Sequence, residues 1–153
     1  MKKSETEKTV AHSYRLLSIR PRSEKELRGR LREKGFGHDV IQEAVSLLKE
    51  SKIIDDVKFA ELFVESRMRT NPKGKTLLKK ELIQKGIEAS IIEKVLGEES
   101  KDEDSLVREL ARKKMETLKK EPKEKIRRKL FSYLAQRGFD FEIINEIIRE
   151  YVS

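Results

Sequence analysis

The stretch Leu27-Arg28-Gly29-Arg30-Leu31-Arg32-Glu33-Lys34-Gly35-Phe36-Gly37-His38-Asp39-Val40-Ile41-Gln42-Glu43-Ala44-Val45 decides the fold, because its pattern returns twice. Its centre, a base, a glycine and a large apolar residue, recurs as Lys85-Gly86-Ile87 and Arg137-Gly138-Phe139, with the glycines 51 and 52 residues apart. Leucines stand eight and four residues before each glycine: Leu27 and Leu31, Leu78 and Leu82, Leu130 and Leu134. Five and six residues after come Val40-Ile41, Ile91-Ile92 and Ile143-Ile144. Nine and ten after come Ala44-Val45, Val95-Leu96 and Ile147-Ile148. One unit is written three times.

Leucines four apart share a helix face, and the following glycine suits a helix end that needs positive φ. A second amphipathic helix then begins, its apolar pairs spaced by four. Asp39 with Gln42, and Ser90 with Glu93, read as capping boxes at that start; Ser23 with Glu26, after Pro21, reads as one for the helix before it. Further helices lie upstream, carrying Val10, Tyr14 and Leu17; Phe59 and Phe63; Leu106, Leu110 and Met115. The expectation is an all-α chain of about nine helices, three tandem three-helix repeats at residues 1–53, 54–100 and 101–153. Such repeats stack, which predicts an elongated, curved array. The acidic stretch from Gly97 to Asp104 reads as a linker between the second and third.

Composition agrees. Of 153 residues, 42% are charged and 36% hydrophobic, and no uncharged apolar run is long enough for a bilayer span. Cysteine is absent, which removes disulfides and thiolate chemistry. The start, Met1-Lys2-Lys3-Ser4-Glu5, leads into no apolar segment of a secretory signal, so a cytoplasmic protein is expected. The net charge of +8 favours polyanions or acidic protein surfaces. The middle repeat is neutral and both end repeats are basic.

Catalytic groupings are scarce. His12 and His38 lack partners at metal-ligand spacing, so no metal or other cofactor is expected. Asp55-Asp56 reads as the start of a helix, where acids favour the dipole. Gly74-Lys75-Thr76 resembles the end of a phosphate loop, but Arg69 occupies the place of its first glycine and helix rather than strand precedes it. It reads as a helix–helix turn, and an enzyme is not expected.

The basic clusters carry the functional reading. Arg15, Arg20, Arg22, Arg28 and Arg32 crowd the first repeat; Arg67, Arg69 and Lys73 approach the turn of the second; Lys119, Lys120, Lys123, Arg127 and Arg128 lie in the third. Arginine forks suit phosphate and carboxylate. Arg20 and Arg22 flank Pro21 in a turn, where both are expected to project outward. Three readings follow: binding to a protein–DNA assembly, binding to DNA by itself, single- or double-stranded, or a structural helical adaptor whose charge serves solubility only. A monomer without membrane attachment is expected.

Four segments, in order, resemble a known family. Tyr14-Arg15-Leu16-Leu17-Ser18-Ile19-Arg20-Pro21-Arg22-Ser23-Glu24-Lys25-Glu26-Leu27 is similar to its first signature, R-x-R-S-x-x-E-L after a helix. Ile54-Asp55-Asp56-Val57-Lys58-Phe59-Ala60 is similar to its D-D-x-x-F-A motif. Lys73-Gly74 with Glu81-Leu82-Ile83-Gln84-Lys85-Gly86-Ile87, and then Arg137-Gly138-Phe139, complete the resemblance to RecX, the regulatory protein of the RecA recombinase. The resemblance implies three three-helix units and a mainly inhibitory regulator bound in the groove of the RecA–DNA filament. It implies an influence on recombinase, ATPase and coprotease activity, in recombination and the SOS response. This sequence departs from the family at Ser51-Lys52, where a glycine is common, and in having few arginines after Lys73-Gly74.

Overall fold

The computed structural model describes residues 4–97 and 100–152. Among them are nine helices and no strand: α1 Glu5–Ile19, α2 Glu24–Lys34, α3 His38–Glu50, α4 Asp56–Thr70, α5 Lys75–Gln84, α6 Ala89–Leu96, α7 Ser100–Leu118, α8 Lys123–Gln136 and α9 Phe141–Tyr151. Of the expected linker, Glu98 and Glu99 lie outside the described residues, as does Met1-Lys2-Lys3. Ser100 to Asp104 forms the first turn of α7 instead of a linker.

Each repeat glycine ends its middle helix in the left-handed region, with φ of 104° at Gly35, 83° at Gly86 and 81° at Gly138. The same pair of hydrogen bonds closes all three ends. Phe36 N–H donates to Leu31 O and Gly35 N–H to Arg32 O; Ile87 and Gly86 donate to Leu82 and Ile83, and Phe139 and Gly138 to Leu134 and Ala135. This Schellman arrangement satisfies the last carbonyls of the helix and folds the next apolar residue back on it. A fourth copy ends α3, where Ile53 N–H donates to Leu48 O and Lys52 N–H to Lys49 O. Lys52 occupies the glycine position there, at φ 58°. A side chain in that region costs about 1–2 kcal/mol, part of which glycine returns as unfolded-state entropy. Lys52→Gly is therefore expected to raise stability by up to about 1 kcal/mol in urea unfolding; a loss would contradict the strain at this turn.

Of the expected capping boxes, Ser23–Glu26 is present in both directions. The other two are not. Gly37 already serves as the N-cap of α3, so Asp39 falls inside its first turn, and α6 begins at Ala89, which places Ser90 within the helix. Asp55 caps α4 by accepting from Val57 and Lys58 N–H at 3.0 and 3.2 Å. The α1 stripe also differs from expectation. Thr9 and Ser13 are wholly buried, while Tyr14 is exposed. Their hydroxyls donate to Glu5 O and Thr9 O within the helix, so burial leaves no polar atom unpaired, and their small size lets α1 lie close on α3.

Packing groups the chain into two compact units, Met1–Phe63 with Leu82–Ile91, and Val64–Glu81 with Ile92–Ser153. In the first, Leu27, Leu31, Ile41, Val45, Leu48 and Ile54 form the core, with Val10, Leu16, Leu17 and Phe36 against it. In the second, the core runs from Val107 and Leu110 through Leu130 and Leu134 to Phe139, Ile144 and Ile147. Specific contacts draw the middle repeat two ways. In the first unit Ser23 Oγ donates to Lys85 O at 2.6 Å, Lys85 pairs with Glu26 at 3.1 Å, and Asp56 Oδ1 accepts from Glu24 N–H at 2.9 Å. In the second, Gly74 N–H donates to Arg137 O at 2.6 Å and Lys75 N–H to Glu103 Oε1 at 2.9 Å. The two sets are the same device. A carboxylate and a pre-glycine carbonyl from the following repeat together close the start of the preceding repeat's middle helix.

Candidate nucleic-acid and protein interface

The first cluster divides by solvent. Arg15 on α1 and Arg32 on α2 are exposed and form no ion pair. Arg20, half exposed, donates to Pro21 O at 3.0 Å and pairs with Glu26 at 3.1 Å; Arg28 pairs with Glu24 at 2.9 Å, and Glu24 also takes Lys49 at 3.0 Å. Arg22 does not project outward as expected. It is 7% exposed, its Nε donates to Leu16 O at 3.3 Å, and its Nη1 is buried with no partner. Pro21 and the extended backbone at the Ser23 cap turn the chain inward here, which carries Arg22 under the end of α1. Burial lowers the Arg22 pKa, and the cations Arg20 and Arg30 lower it further. Reversing this charge would remove the bond to Leu16 O and set a largely buried carboxylate beside that carbonyl, so Arg22→Glu tests folding rather than binding.

These ion pairs have a pH signature. Burial works to raise the Glu24 and Glu26 carboxyls. Hydrogen bonds from Lys49 and Arg28 to Glu24, and from Arg20, the Ser23 N–H and Lys85 to Glu26, carry both below the ordinary range. A carboxyl whose folded pKa is depressed stabilises the fold above its unfolded pKa and loses that contribution as pH falls through the folded value. Glu26→Gln retains the cap geometry. It is expected to unfold at lower urea than the parent at pH 7, with the gap closing below about pH 4. A gap independent of pH would show that the ion pairs do not contribute.

The second cluster is largely neutralised. Arg67 Nε and Lys73 Nζ both bind the Glu81 carboxylate, and Arg69 lies 3.9 Å from Glu65. Residues 71–74 form the expected helix–helix turn, and Lys75 and Thr76 open α5. In the third cluster Lys119 pairs with Glu116 at 2.8 Å, and Arg127 pairs with Glu124 at 2.7 Å and donates to Val152 O at 3.1 Å. Lys120, Lys123 and Arg128 are exposed, and Lys120 and Arg128 form no ion pair. The structure thus leaves Arg15 and Arg32 open in the first unit and Lys120 and Arg128 in the second. The remaining cations mostly hold the fold.

The surroundings of several further groups were not expected from the sequence. Lys52 and Lys58 flank the α3–α4 turn without ion pairs, beside Arg22. The signal for Lys52 was present, since Leu48 and Ile53 repeat the five-residue spacing of Leu31 and Phe36. Tyr133 lies between two cations, with Arg137 at 4.2 Å and Lys114 at 5.0 Å from its ring centre. Arg108 joins α7 to Glu150 and Glu146 of α9, and its hydrogen bonds to Glu150 and Asp104 raise its pKa. No described helix is long and apolar enough to cross a membrane.

Comparison with known proteins agrees with this geometry. Residues 11–48, 55–96 and 102–148 match the first, second and third three-helix domains of RecX. The chain is 37% identical over 145 residues to the regulatory protein RecX of Clostridium perfringens strain 13, covering 93% of this chain and 64% of the relative. It therefore spans somewhat under two thirds of that relative's length. It is 35% identical over 153 residues to that of Prosthecochloris aestuarii, covering 100% of this chain and 99% of the relative. A crystal structure of RecX from Lactobacillus salivarius superposes with a TM-score of 0.83 at 28% identity, covering 95% of this chain and 96% of that one. Three family domains in order, on a backbone that repeats the solved fold, establish that the chain belongs to the RecX family.

Proposed function

We propose that this chain is a cytoplasmic regulator that binds the groove of the RecA–DNA filament and restrains RecA recombinase, ATPase and coprotease activity, in recombination and the SOS response. The observation that carries this reading is the presence of all three RecX domains in order across residues 11–148. The open cations support it. Arg15 and Arg32 on one compact unit, and Lys120 and Arg128 on the other, supply two basic sites for acidic RecA surface or the DNA backbone. Joined in one chain, each site acts at the effective concentration set by the other. Occupying the groove obstructs duplex DNA and coprotease substrates, and a chain that bridges subunits hinders filament regrowth.

The alternative is a DNA-binding helical protein that needs no RecA, which the same unpaired cations would also serve. A side-by-side titration on RecA–single-strand filament, bare single strand and free RecA separates the two. Tightest binding to the filament is the expected result. Equal affinity for bare strand and filament would support the alternative.

A further inference from the structure

Arg22, Lys52 and Lys58 converge on one surface pocket without forming an ion pair. The pocket measures about 440 Å³ and lies wholly within the first compact unit. Its walls are the end of α1 at Leu17, the turn at Pro21 and Arg22, the α3–α4 turn at Lys52, Ile53 and Asp55, and α4 at Lys58, Phe59 and Leu62. Asp55 also lines the pocket, its Oδ1 capping α4, and the three cations outnumber it, which leaves the pocket net positive. Arg22 is more than nine-tenths buried, and its Nη1 has no acceptor. A buried guanidinium nitrogen without an acceptor is costly, and the Nε bond to Leu16 O and the nearby Glu26 carboxylate offset that only in part. At the rim Lys52 holds a left-handed backbone, and Ile53 and Leu62 expose apolar surface.

We propose that this pocket receives an acidic–apolar peptide segment of a partner protein, its carboxylate on Arg22 and Lys58 and an adjacent large apolar side chain against Leu17, Ile53 and Leu62. Concave, mostly apolar walls with a few convergent charges suit such a side-chain pair. A nucleic acid fits less well. Phe59 is buried and offers no ring face for a base, and the sugar–phosphate chain gains little from leucine walls. The inference deepens the regulatory reading and rests on it for the partner being a protein.

The test uses the full chain without RecA, so its failure leaves the filament reading standing. In amide-resolved NMR, acetyl-Asp-Leu-Asp-Phe-Glu-amide is expected to shift Leu17, Arg22, Lys52 and Leu62 saturably. The matched Asn-Leu-Asn-Phe-Gln peptide should bind about tenfold more weakly, the loss of one charge-assisted contact. Arg22→Met, which keeps the side-chain bulk, should lose about as much affinity and melt no lower than the parent. Should that variant fail to fold, Lys58→Met carries the same comparison from an exposed position. No saturable shift, or equal binding of the amide peptide, overturns the proposal. Shifts of the same amides by an oligothymidylate in place of the peptide would assign the pocket to nucleic acid instead.

Discussion

Gly138→Ala is expected to destabilise the second compact unit by about 3 kcal/mol or more. Two costs add. At φ 81° a Cβ strains the backbone by about 1–2 kcal/mol. It would also stand 2.4 Å from Leu77 Cβ and 3.0 Å from Leu77 N, and overpacking of this kind costs about 1–3 kcal/mol more. Leu77 has little room to retreat. Its neighbour Gly74 donates to Arg137 O, and a Cβ on Gly74 would itself meet Gly138 O at 2.3 Å. Gly35→Ala is the matched control: it has the same left-handed backbone with nothing within 4 Å, so only the first cost, about 1–2 kcal/mol, applies. Urea unfolding of the two variants reads the difference directly. Equal losses would mean that the glycine serves its own turn and not the close approach of α5.

Reversing the open cations is expected to have the largest functional effect. Arg15→Glu with Arg32→Glu, and Lys120→Glu with Arg128→Glu, remove exposed charges that bind no carboxylate of the chain, so helicity and melting should stay as in the parent. Inhibition of RecA strand exchange should fall by about tenfold or more for either pair, because two linked sites lose avidity when one is lost. The salt dependence identifies the surface touched. Direct contact with single-strand phosphates adds a slope of about −0.7 per phosphate to the logarithmic plot, whereas a protein surface gives a shallower one. Full inhibition by both double variants would place the groove surface elsewhere. Arg28→Glu makes an instructive contrast: it breaks the pair with Glu24, so its loss should be one of stability.

What the linear pattern settles is local. Leucine spacing, the glycine after it and the returning apolar pairs specify helix, left-handed end and helix, because these depend on residues within five positions of one another. Hence the all-α repeat and the Ser23 and Asp55 caps were legible in the sequence. The clustering of arginines was legible too, but their roles were not. Arg20 and Arg28 find Glu26 and Glu24, Arg67 and Lys73 share Glu81, and Arg22 is turned under α1; each outcome depends on which carboxylate or carbonyl the fold brings within reach. The Asp55-Asp56 pair shows the division most plainly. Asp55 caps its own helix, as its position beside Val57 and Lys58 requires. Asp56, one residue on, accepts from Glu24 N–H across 32 positions, a partner that exists only once α4 lies against the start of α2. Spacing along the chain encodes what a helix does to itself, and only packing determines which distant backbone groups must be satisfied.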